Sequence, residues 1–309
     1  MKFITKTVFI LILLNLALLL GCKKPDPTPS TDSDTSSASD DAVAETVISD
    51  IESVGAEAAE NQGSLTNFKT VSSSALSLAN CATVTISNKI ITVDFGTSPC
   101  LCNDGRSRSG KLIYDFSASN PSTAIRYRNP GFNMKVSSQN YTVDGYSVTI
   151  TSKEVKNTSP LTLPSGINPG TNLTWSINSN ISVIKPGTNA GTITRITSYT
   201  KELLNTNDSS CYRGQSKSIV WSLAKVKFNG NSNGVNAKGE NYTNQAIDLE
   251  KDMNCSPFAN KPSRHPFIKG KLNHTPGTKA TRYIDYGNGT CDVNATVTIN
   301  GVVYSITLQ

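Results

Sequence analysis

Apolar and polar positions follow three successive rhythms along the chain. From Val8 to Leu20 every residue but Asn15 is apolar. From Asp41 to Asn61 the large apolar residues Val43, Val47, Ile48, Ile51 and Val54 return every three or four positions, and Gly63 ends the pattern. Beyond Gly63, apolar and polar residues alternate in short runs rich in Thr and Ser. These rhythms predict a continuous hydrophobic segment, one amphipathic helix with a narrow apolar face, and a long series of half-buried strands.

The third rhythm is punctuated by turn residues. Ala82–Ile86 and Ile90–Phe95 flank Ser-Asn-Lys, Asn133–Val143 and Tyr146–Thr151 flank Asp-Gly, and Ala295–Ile299 and Val302–Leu308 flank Asn-Gly. Asp-Gly and Asn-Gly favour the two-residue turns that join antiparallel strands. Further strands are predicted at Leu112–Ser117, Leu173–Ile184, Thr192–Leu203, Ser218–Phe228, Asn241–Leu249 and Thr281–Tyr286. The fold class is therefore all-β: an antiparallel, hairpin-rich sandwich, barrel or extended meander over 63–309, preceded by one short helix over 42–62. The narrow apolar face predicts a helix that docks weakly or acts as a spacer.

The first rhythm is a leader. Lys2 and Lys6 precede the apolar run, and at 1.5 Å per residue its thirteen residues reach about 20 Å, short of the ~30 Å hydrocarbon core. Residues 1–21 thus read as a signal peptide. It ends in Leu19-Leu20-Gly21-Cys22, which resembles the lipobox of bacterial lipoprotein precursors. That resemblance implies cleavage before Cys22 and a diacylglycerol on its thiol, with the bilayer as partner. Residues 22–41 are almost wholly Lys, Pro, Ser, Thr and Asp, and composition predicts a disordered linker there. The segments Asp104–Lys111 and Asp285–Asp292 are also similar to stretches of uncharacterised lipoproteins of Bacteroidota-type bacteria. The likeness implies a cell-envelope location, anchored in the outer membrane and surface-exposed, without implying an activity.

Charge changes the picture more than any motif does. Residues 23–62 hold two Lys against ten Asp plus Glu, and 63–309 hold twenty-five Lys plus Arg against thirteen Asp plus Glu. A body this basic suggests a polyanionic partner such as an acidic glycan, with no specific nucleic acid expected. Trp175, Trp221, Arg126 and Arg128 are the candidate ligand-binding residues. Six cysteines besides Cys22 (Cys81, Cys100, Cys102, Cys211, Cys255 and Cys291) suggest three disulfides in an exported domain. Proximity favours Cys81–Cys100 and Cys255–Cys291, which leaves Cys102 for Cys211.

Candidate chemistry is sparse. The two histidines, His265 and His274, have no metal-ligand spacing around them. No His-Glu-x-x-His, Gly-x-Ser-x-Gly or phosphate-loop pattern occurs. No catalytic residue, metal or cofactor is assigned, and the sequence leans away from an enzyme. The expectation is a surface binding or structural module. The alternatives are a glycosidase-like envelope hydrolase, which needs two converging carboxylates, and a carrier of hydrophobic cargo, which needs an open half-barrel with spare apolar room. One short echo, Val93-Asp94-Phe95-Gly96 before Cys100 and Ile284-Asp285-Tyr286-Gly287 before Cys291, reads either as a duplication or as two Asp-closed turns ahead of disulfides.

Overall fold

The computed structural model describes residues 32–60, 82–160, 172–188, 190–212, 214, 219–257 and 265–308. The leader 1–21, the lipidation candidate Cys22, the first half of the linker and Cys81 lie outside the described residues. Asp34–Gln309 forms one compact unit. Among its described residues one α-helix, α1 (Ser36–Glu60), precedes fourteen strands. These are β1 (Thr83–Ser87), β2 (Ile90–Asp94), β3 (Cys100–Leu101), β4 (Ser107–Asp115), β5 (Asn133–Val143), β6 (Tyr146–Asn157), β7 (Leu173–Ile184) and β8 (Thr192–Leu203). They continue as β9 (Lys225–Val235), β10 (Asn241–Asp252), β11 (Lys269–Pro276), β12 (Arg282–Asn288), β13 (Asn294–Ile299) and β14 (Val302–Thr307).

The strands make one sheet in chain order, every pairing antiparallel, with the two-residue β3 paired beside β4. The fold is thus an antiparallel meander preceded by one helix, and the sheet does not close into a barrel. Alternation explains its two faces. In β7, Leu173, Trp175, Ile177, Ser179, Ile181 and Val183 are buried while the residues between them are not, and β5 and β6 largely repeat the scheme.

The sheet curls around α1. Asp50 of the helix is bonded by Arg108 of β4, and its neighbour Ser49 by Lys251 of β10. Those strands are six spacings apart in the sheet, ~29 Å if it were flat. Two adjacent residues can meet both only if the sheet bends round the helix. The sequence reading of a weakly docked spacer is thereby corrected: Ala44, Val47, Ile48, Ile51 and Val54 are all fully buried. Gly55 allows the closest approach, since a Cβ there would overlap the ring of Tyr114 and the sulfur of Met134.

Two boundaries also move. The helix begins at Ser36, inside the stretch that composition reads as linker. Asp34 accepts the Ser36 N–H at 2.9 Å, and Asp40 and Asp41 are buried against basic partners, so tertiary pairing overrides a disorder-prone composition. In the run predicted as a strand from Ser218 to Phe228, Trp221–Leu223 is a 3₁₀ turn. Strand β9 starts at Lys225 and continues through Gly230 and Gly234, where a Cβ would strike the carbonyl oxygens of Ser198 and Thr194 on β8.

Candidate functional site

The acidic helix and the basic body are partners of each other. Arg108 binds Asp50 and Asp104, each at 2.5 Å. Arg195 binds Asp41 at 2.8 Å and Glu45 at 2.5 Å, and donates to the Tyr199 hydroxyl. Glu52 receives Lys201 at 2.9 Å, Lys153 at 3.5 Å and the Tyr127 hydroxyl at 2.7 Å. Burial alone would raise the Glu52 pKa; the charges of Lys201 and Lys153 and the bonds from Lys201 and Tyr127 outweigh it and hold the carboxyl at about 2. Asp50 is likewise held down by Arg108 and Arg106 against the effect of burial.

The aromatic residues expected to face a ligand surround one of these lysines. Lys201 Nζ lies 5.0–5.8 Å from the ring centroids of Trp221, Tyr127, Trp175 and Phe228, an internal cation–π cluster. Trp175 is 0 % exposed with its indole N–H donated to the Tyr127 carbonyl, and Arg128 is 1 % exposed. An external glycan reaches neither, so these two sequence candidates are corrected to core residues. Arg126 and Trp221 are half-buried. Trp221 is brought together with Trp175, at 6.3 Å between ring centroids.

The cysteines divide. Cys255 and Cys291 are bridged, as proximity suggested. Cys100 is disulfide-bonded, its expected partner Cys81 lying outside the described residues. Cys102 and Cys211 are buried thiols and make no bridge to each other, which corrects the third pairing; the Cys102 thiol is directed at the Cys100 carbonyl. The echoed motifs form the same turn: the Gly96 and Gly287 N–H groups each donate to the aspartate two residues earlier, Asp94 and Asp285, at 2.9 Å.

One constellation resembles a catalytic triad. The Ser37 hydroxyl is 3.0 Å from His274 Nε2, and His274 Nδ1 is 2.6 Å from Asn244 Oδ1. Since the Asn244 amide nitrogen already donates to Ser232, its oxygen accepts, which puts the imidazole proton on Nδ1. Burial lowers the His274 pKa, in keeping with this neutral form. Ser37, His274 and Asn244 are nevertheless almost completely buried, and neither Ser37 nor His274 borders the open space described next. The chain of bonds ties the start of α1 to β10 and β11.

The open space lies along another face of the helix. Ala38, Ala42, Thr46, Ser49 and Ser53 form a stripe of small residues facing β10–β12. Two adjoining lobes remain there, about 230 Å³ beside Leu249, Phe267, Leu272, Ile284 and Tyr286, and about 360 Å³ beside Ile177, Trp221, Val226, Phe228 and Met253. Glu45, Ser49, Ser53, Tyr199, Lys251, Met253 and His265 border both. Ser53 is exposed, so the space meets solvent at that turn. His265 borders the cavity, donates from Nδ1 to the Cys255 carbonyl, and has its pKa lowered by burial.

Among the described residues no cluster of His, Cys, Asp or Glu is arranged to hold a metal, and no helix is long and apolar enough to cross a membrane. Comparison with protein-family models, with curated proteins and with solved structures finds no match.

Proposed function

We propose that this chain is a ligand-binding module that holds a small, largely apolar molecule in the cavity between α1 and β7–β12, and that it is presented at a bacterial cell envelope through a lipid on Cys22. The observation that carries the reading is the 360 Å³ lobe, walled by Ile177, Trp221, Val226, Phe228 and Met253 and left open by small residues on the helix. A volume of this size with mainly apolar walls and a few polar groups is typical of small-molecule sites. The reading takes up the hydrophobic-cargo alternative and involves no catalysis.

Trp221 borders the lobe and Trp175 lies against it, so ligand entry should change intrinsic fluorescence. Titration of the purified protein with the neutral apolar dye Nile red is expected to show saturable binding that Ser53→Trp abolishes by filling the opening. Binding that is unsaturable, or indifferent to Ser53→Trp, would sink the proposal.

A glycan reading has its own support on the outer face. There Ser198, Asn231, Gln245, Asn273 and Tyr283 stand in one register row across β8–β12, and Tyr283 is 54 % exposed. These groups are neutral, so glycan retention on this face should persist at high salt and be lost in Tyr283→Ala; salt-sensitive retention would argue against it.

A further inference from the structure

Lys251 is an interior cation with no carboxylate within 4 Å among the described residues. Arg106, Arg108, Arg195, Lys153 and Lys201 each have a carboxylate within 4 Å. Among the described residues Lys251 has none; its hydrogen bond is a long one, 3.5 Å to the Ser49 hydroxyl. Its ammonium lies 4.4 Å from the ring centroid of Phe267 and 5.9 Å from that of Phe228. The anions whose charge acts on it are Glu45 and Glu52. Those carboxylates are already taken up, the first by Arg195 and the second by Lys201 and Lys153.

Position makes this more than an unpaired lysine. Lys251 sits near the end of β10 and borders both lobes. Apolar wall extends away from it on either side, through Leu249, Phe267, Leu272 and Ile284 in one lobe and Phe228, Val226 and Ile177 in the other. Aromatic faces stabilise a cation but leave its N–H donors unused, and desolvation lowers its pKa. A carboxylate arriving in the cavity would supply the missing acceptor and charge beside apolar walls, where such a pair is stronger than in bulk water.

Resting on the cavity-binding reading above, we propose that Lys251 is the anchor for the acid head of the ligand, and that the ligand class is an amphipathic monocarboxylic acid of the fatty-acid type. The Ser49 hydroxyl, which accepts from Lys251 and donates to Glu45 at 3.4 Å, borders the same junction. The apolar body then fills one lobe, and the head remains at the junction of the two.

The test compares dodecanoate with dodecanol, which share an apolar body and differ at the head, by competition with Nile red on the purified protein. The native protein is expected to prefer the acid by tenfold or more. Lys251→Met should remove that preference by weakening acid binding while leaving dodecanol unchanged, and Lys251→Arg should retain it. Retained dodecanol binding in Lys251→Met also reports that the cavity is still folded. Equal binding of acid and alcohol by the native protein, or an acid preference that survives Lys251→Met, overturns the assignment of Lys251 while leaving the cavity reading in place. Failure of both ligands to bind the native protein overturns the cavity reading and this inference together.

Discussion

One carboxylate serves two lysines: Glu52 receives Lys201 of β8 at 2.9 Å and Lys153 of β6 at 3.5 Å. Both ammonium groups come from strands and the carboxylate from the helix, so the cluster fixes the C-terminal half of α1 to the middle of the sheet. Removing the shared anion strands two cations in a buried setting, which costs far more than the pair contributes over an apolar substitute. Glu52→Gln is expected to lower stability by about 3–5 kcal/mol, seen as a fall in the urea midpoint at unchanged slope. Lys153→Met on that background should restore part of the loss. An unshifted midpoint in Glu52→Gln would mean that water already solvates the cluster.

Acid should unfold the protein in two stages. The folded-state pKa values of His265 and His274 lie below their ordinary value of 6.5, so as pH falls through that value the unfolded chain binds protons the folded chain does not, and stability declines. Glu52, at about 2 when folded against an ordinary 4.5, contributes stability that is complete above pH 4.5 and is lost as pH falls towards 2. Asp50 acts in the same direction. The Glu52 contribution is on the order of 3 kcal/mol. Thermal midpoints measured from pH 8 to pH 3 should therefore fall, most steeply below pH 4.5; a flat profile there would contradict the buried pairing.

Gly55 is expected to resist improvement. In an exposed helix interior Gly→Ala gains about 1 kcal/mol, but here a methyl group meets the Tyr114 ring, whose hydroxyl is held by the Ile51 carbonyl at 2.9 Å. Gly55→Ala should destabilise by roughly 1–3 kcal/mol through overpacking. Chemical denaturation of Gly55→Ala alone and with Tyr114→Leu reads this directly: the double variant should tolerate the alanine, and a stabilising single substitution would show that the helix can move away.

The sulfur atoms predict a chemical pattern. The Cys255–Cys291 bridge closes 36 residues of chain separation, and its loss should cost roughly 3–4 kcal/mol. Cys211 is buried, and burial, followed by Asp208, raises its thiol to about 11. It should react with iodoacetamide only after denaturation. Rapid labelling of Cys211 in the native protein, located by mass mapping, would contradict the burial.

Much of the sheet could be read from two-residue alternation. The limits of β7 and β8 coincide with the runs Leu173–Ile184 and Thr192–Leu203, and Asp-Gly and Asn-Gly stand at the tips of the β5–β6 and β13–β14 hairpins. Strand β11 was hidden because its inward positions are Leu272, His274 and Pro276, so a histidine and a proline occupy sites where alternation expects large apolar side chains. The candidate site was less visible. The opposite charges of helix and body could be counted in the sequence, but their mutual pairing depends on contacts such as Asp41 with Arg195, 154 residues apart. For the same reason Trp175 suggested a stacking platform when its register places it inward. The cavity leaves only a faint trace, the spacing of Ala38, Ala42, Thr46, Ser49 and Ser53 along one side of the helix.

The wrapped helix imposes an order on how the molecule is made. Synthesis delivers α1 before any strand, yet Asp34 meets Arg282 through its carbonyl only after 248 further residues. Each hairpin of the meander can form with its immediate neighbour as it emerges, whereas the helix must keep its valines, isoleucines and carboxylates in waiting until β12 is complete. The first element of the domain to be translated is thus the last to find all its partners, and shortening the chain from its far end would undo the seat of its beginning.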